Sequence, residues 1–267
     1  MRTALLTLLA LLLVAPASAQ DAAPEAGLSP SEQLIVDARA QLTGAVNTGD
    51  QATMQRAEAA FVRATNADDS RVQAYAHYYA AKAMERRLVM FDREEQRDEI
   101  VDLIDAAVEH LEQAEDLMPD FAEAYALHSS LLGQKVGMKP MLGMILGPKV
   151  GRIMERGKAA GPDNPRVVMT EAQSLLFTPK MWGGSKERAM EGFRRAITLF
   201  EAEAASPPAD PLAPVWGHDE AYAWLGLALS ELERPDEARA AYEQALVINP
   251  SYGWVSRVLL PQVASSE

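Results

Sequence analysis

Along most of the chain, apolar side chains recur at intervals of three and four residues, from about residue 31 to about residue 261. That spacing lines them up on one face of an α-helix. It predicts helices over 31–46, 52–65, 72–91, 97–116, 121–136, 144–159, 166–177, 185–204, 219–231, 235–247 and 253–261. No stretch alternates apolar and polar residues strictly enough to compete as a β-strand. Ten of these helices group into five pairs, and the eleventh stands alone at the C-terminal end.

A finer pattern recurs inside the pairs. Ala-Tyr-Ala occurs at Ala74-Tyr75-Ala76, Ala124-Tyr125-Ala126 and Ala221-Tyr222-Ala223. A second phrase places an alanine, a large apolar residue four positions on and another alanine three further. It appears at Ala57/Phe61/Ala64, Ala107/Leu111/Ala114, Ala189/Phe193/Ala196 and Ala238/Tyr242/Ala245. Two small side chains on one face let a neighbouring helix approach closely while the large one fills the gap. Pro119 and Pro250 each follow the last alanine of a phrase by five residues, where a residue that cannot continue a helix stops it. Each unit therefore reads as helix, turn, helix, break.

The stretch DEAYAWLGLALSELERPDEARAAYEQALVINP resembles the tetratricopeptide repeat, with Tyr222, Leu225-Gly226, Leu229, Ala238, Tyr242, Ala245 and Pro250 at that family's spacing. The other units are degenerate versions of it. The resemblance, of the extracytoplasmic bacterial type, implies an all-α fold: a right-handed α-solenoid of about five helix-turn-helix pairs over 31–264, with YGWVSRVLL as a capping helix. It also implies a concave groove lined by the first helix of each pair. The proline-rich segment at about 205–217 reads as a linker that gives the last repeat some freedom.

The first residues, MRTALLTLLALLLVAPASAQ, combine Arg2, a short apolar run and Ala17-Ser18-Ala19. This is the pattern of a cleavable signal peptide over 1–19, followed by a disordered leader over 20–30, and it predicts a periplasmic or secreted protein. The chain has no cysteine, so neither a lipid anchor on that residue nor a disulfide is expected. No stretch is long enough for an integral membrane span. A net charge of −13 argues against nucleic acid as a partner.

Candidate chemistry is sparse. Met181-Trp182-Gly183-Gly184-Ser185-Lys186 has glycines and a lysine but not the order of a phosphate-binding loop, and a helix rather than a strand precedes it. Gly183 and Gly184 read as a turn and Ser185 as a helix cap, with Met181 and Trp182 either filling a joint or exposed as a contact patch. Met138, Met141 and Met144 have the softness and spacing of a Cu(I) site, although core packing is the alternative. The four histidines lack zinc spacing. No cofactor is expected, and no nucleophile motif points to an enzyme.

The groove candidates are His77, Tyr79 and His128 on the first helices, with Glu220 and Leu227 facing inward on the last unit. Asp219 reads as a helix cap and Trp216 as a buried anchor. The expected function is a non-catalytic scaffold that binds a protein, peptide or small solute in the groove, an apolar or basic segment fitting best. An accessory component of a membrane transporter, as some extracytoplasmic tetratricopeptide proteins are, is the alternative.

Overall fold

The computed structural model describes residues 27–264, and among them there are helices and no strands. The signal-peptide assignment at 1–19 and leader residues 20–26 lie outside the described residues. The helices are α1 (Pro30–Thr48), α2 (Gln51–Ala64), α3 (Ser70–Arg87), α4 (Arg97–Leu117), α5 (Ala122–Met138) and α6 (Gly143–Ala160), followed by α7 (Pro165–Phe177), α8 (Lys186–Ala205), α9 (His218–Ser230), α10 (Pro235–Ile248) and α11 (Leu260–Ala264). A wide π turn, Val255–Leu259, leads into α11. Each start has a local cause where a side chain takes up the unpaired backbone N–H groups. Ser29 and Glu32 form a reciprocal capping box on α1, Asp50 caps α2, Asp69 caps α3, and Asn164 caps α7 just ahead of Pro165. α9 begins one residue earlier than the sequence suggests: Gly217, at φ 111°, is the capping position, and Asp219 sits in the first turn.

Consecutive helices pair as α1/α2, α3/α4, α5/α6, α7/α8 and α9/α10 and stack into an α-solenoid. The Ala–large–Ala phrases are its packing face: all twelve residues of the four phrases are 0–1 % exposed. Gly226 extends the logic, because a Cβ there would run into the Tyr242 ring. α6 lacks the phrase and departs accordingly. It buries only Ile153, Met154 and Gly157, and α7 leans on α5 more than on α6. At the C-terminal end Val255, Leu259 and Val263, each four residues apart, cover the last pair with 0–3 % exposure. This is the cap that the sequence implies.

The proline-rich segment after α8 is not a loose hinge. It crosses the first half of the molecule, and Leu212 is fully buried in the core built by α1 to α5. The close of the chain also meets its start: Asn249 Nδ2 donates to Asn47 Oδ1 at 3.2 Å and to Asp219 Oδ2 at 2.7 Å, and Arg86 on α3 pairs with Glu220 on α9.

Candidate functional site

The concave face of α1 and α3 is occupied by residues 210–216 of the chain itself, which lie across it as a strap. Arg71 Nη1 lies 2.7 and 2.8 Å from the two Asp210 carboxylate oxygens and also pairs with Glu32. The Tyr79 hydroxyl donates to the Leu212 carbonyl at 2.9 Å, and Arg39 Nη1 donates to the Ala213 carbonyl at 2.8 Å. Trp216 Nε1 donates to the Tyr78 hydroxyl at 3.0 Å. Its ring receives Lys82 Nζ at 3.4 Å from the centroid, with the guanidinium carbons of Arg86 and Arg166 at 5.5 and 5.6 Å. Two of these contacts grip backbone carbonyls in a segment that has no ladder or helix of its own to satisfy them.

The electrostatics follow from burial. Burial depresses the Lys82 ammonium, and Arg86 adds to this, while Glu85 at 3.2 Å and Glu220 pull the other way. Arg86 is held charged against its burial by Glu220 and Glu85. Burial pushes the Tyr79 hydroxyl up to about 12, opposed by Arg39. Burial also raises Asp219, with Glu220 reinforcing it. Arg166, 1 % exposed, forms a two-point pair with Glu203 at 2.8 Å. In a chain of net charge −13, five cations (Arg39, Arg71, Lys82, Arg86 and Arg166) therefore converge on one surface.

The groove candidates divide. Tyr79 touches the occupant of the groove but is 1 % exposed. Glu220 is spent on Arg86, and Leu227 packs partly buried against the second core. His128 is 2 % exposed, with Nδ1 2.7 Å from Glu115 Oε1. His77 Nδ1 faces His110 Nδ1 at 2.8 Å across α3 and α4, and burial, together with His110, lowers it to about 4. His77 and His128 thus turn toward second helices and away from the strap. Trp216 is a partly buried anchor, as the sequence suggests.

The glycine pair is punctuation. Gly183 adopts φ 95°, a Cβ on Gly184 would strike the Thr178 carbonyl oxygen, and Ser185 Oγ accepts from Arg188 N at 3.2 Å. Met181 and Trp182 stand 84 and 70 % exposed beside Phe177 at 64 %. Phe177 begins a ladder of rings: 5.8 Å to Trp224, 4.9 Å on to Trp254 and 6.2 Å from there to Tyr252. The methionine series is split. Met138 packs against the core, whereas Met141 and Met144 are 91 and 86 % exposed, beside Ile145 at 73 %. Among the described residues no group of three or more His, Cys, Asp or Glu side chains gathers as metal ligands, and no helix is long and apolar enough to cross a membrane.

Residues 219–252, the unit formed by α9 and α10, match the tetratricopeptide-repeat family model. That last helix pair is a tetratricopeptide repeat. Solved structures extend the likeness beyond that one repeat. The HusA haemophore from Porphyromonas gingivalis superposes with a TM-score of 0.62 at 25 % identity, over 76 % of this chain and 94 % of the haemophore. A thermophilic tetratricopeptide-repeat protein of Thermus thermophilus gives 0.51 at 15 % identity, over 86 % of this chain and 98 % of that one, and shows the shared fold. No curated protein sequence matches the chain. The strap contacts were missed by the sequence reading. The signal for them was a buried-type leucine and a tryptophan inside a proline-rich stretch, with Arg71, Lys82 and Arg86 at helical spacing on the facing helix.

Proposed function

We propose that this protein is a non-catalytic, extracytoplasmic tetratricopeptide-repeat scaffold that docks a protein partner on an apolar edge, formed by the turns between α5 and α6 and between α7 and α8. The observation that carries this reading is the exposure of Phe177, Met181 and Trp182 at one end of the ring ladder. Aromatic and methionine side chains concentrate in the cores of protein interfaces, and tryptophan dominates their energetics. Alternating helix direction brings Met141, Met144 and Ile145 to the same end of the stack. Lys139 and Lys186 at these tips are paired with Asp98 and Glu231 of the chain itself, so the partner of best fit is recognised through apolar side chains. Extracytoplasmic placement rests on the signal-type pattern of the first residues.

A photocrosslinking residue at position 182 is expected to give a discrete adduct with one partner. That partner, once purified, should bind the full chain in titration calorimetry, and Trp182→Ala should weaken it more than about tenfold, as for an interface hot spot. Trp182→Ala with unaltered affinity overturns the reading.

The likeness to a haemophore, spanning 94 % of that protein, favours a second reading: carriage of a haem on the same apolar ladder, with exposed thioethers available to iron. Titration with haem separates the two. A saturable Soret shift that is lost on replacing Phe177 and Trp182 supports carriage, and a flat titration removes it.

A further inference from the structure

The segment on the concave face is held by the devices with which a protein recognises a foreign peptide. Side chains act on two successive carbonyls, which reads backbone without sequence. Arg71 reads a carboxylate, a fully buried socket reads Leu212, and a ring of three cations with one phenol reads an indole. Inter-repeat contacts elsewhere use such side-chain donors singly, as Lys186 does on the Glu231 carbonyl and Arg195 on the Pro162 carbonyl, whereas the strap meets all of them within seven residues. The strap also lacks what a purely structural connection would need: α8 and α9 are neighbours in the stack, so a short turn suffices to join them.

We propose that the concave face of α1 and α3 is a peptide-recognition site. Residues 210–216 are its intramolecular ligand, and the site accepts in trans an extended, proline-rich peptide with a carboxylate, a leucine two residues on and a tryptophan four further. Proline suits such a ligand because it presets an extended backbone and leaves carbonyls free to accept. The ligand needs its carboxylate because Arg71 is the cation turned to it, at 2.7 and 2.8 Å from the Asp210 oxygens, whereas Lys82, Arg86 and Arg166 are paired with Glu85, Glu220 and Glu203 and present their charge to the indole ring. Tethering gives the strap an effective concentration in the millimolar range, so the native site is closed to weak competitors and opens when the strap is withdrawn.

The test replaces residues 207–216 by a Gly-Ser stretch of equal length in the full chain and adds a fluorescent peptide SPPADPLAPVWG, the sequence of 206–217. Saturable anisotropy is expected with the replaced chain, and at least about 100-fold weaker binding with the native one. Changing the peptide's aspartate to alanine should cost about tenfold or more, and Arg71→Ala in the same background should abolish that preference. If the replaced chain does not fold alone, the peptide is expected to restore a cooperative melt. The proposal is overturned by a folded replaced chain that ignores the peptide, by equal binding of a scrambled sequence, or by an unfolded chain that millimolar peptide does not rescue. None of these readouts involves Phe177, Met181 or Trp182, so the docking edge stands or falls separately.

Discussion

Single residues carry the fold where two helices come closest. Ala245 is fully buried on α10, in the phrase that also contains Tyr242 and Ala238. A glutamate there would force an unpaired charge into a contact that leaves no space for its side chain. Ala245→Glu is expected to cost at least about 3 kcal/mol and to remove the last repeat from the cooperative transition in urea. A midpoint within experimental error of the parent would mean that this face does not pack as described. These alanines were legible in the sequence because a four-three spacing of small, large and small residues has few other uses. His77 and His128 were not. A histidine on a first helix looks the same whether it turns toward the groove or toward the second helix, and only the facing groups, His110 and Glu115, decide.

At the level of helices, the α3–α4 contact is sensitive to pH. His77 and His110 meet through their Nδ1 atoms, one donating and the other accepting, which requires at least one neutral ring. Glu58 from α2 and Glu109 on α4 lie near enough to favour the charged form of His110, but burial outweighs them there, and it lowers His77 to about 4. In the unfolded chain a histidine titrates near 6.5. Between these values the unfolded state binds the extra proton, so the pair's contribution is complete above about 6.5 and is lost as the pH falls toward 4. The melting temperature should therefore drop across that window, and less steeply in His77→Gln. Parallel curves for the two proteins would refute the assignment.

Helix existence and limits were readable from period, caps and prolines almost throughout. The course of residues 206–217 was not, because nothing local distinguishes a proline-rich stretch in solvent from one pressed into a groove. That choice depends on Tyr79, Arg71 and Lys82, more than a hundred positions away in sequence. α6 shows the converse. Its missing alanine phrase was visible, and its poor lateral packing on α7 follows from that gap.

On the scale of the whole molecule, the stack is fastened end to start by Arg86 with Glu220 and by Asn47 with Asn249. A solenoid held only by neighbours loses repeats one at a time, whereas a fastened one should melt as a unit. Arg86→Ala leaves Glu220 without its partner in a largely buried setting, while Glu85 keeps Lys82. It is expected to cost about 3–5 kcal/mol and to split one calorimetric transition into two. A single transition at the parent temperature would show that the fastening contributes nothing.

The strap also imposes a timetable on the nascent polypeptide. Tyr79 is made 133 residues before Leu212, the backbone that its hydroxyl receives. At roughly 5–20 residues per second, the inner wall of the first repeats stays uncovered for about 7–27 s. A greasy, cationic trough left bare that long is a natural place for a chaperone to wait.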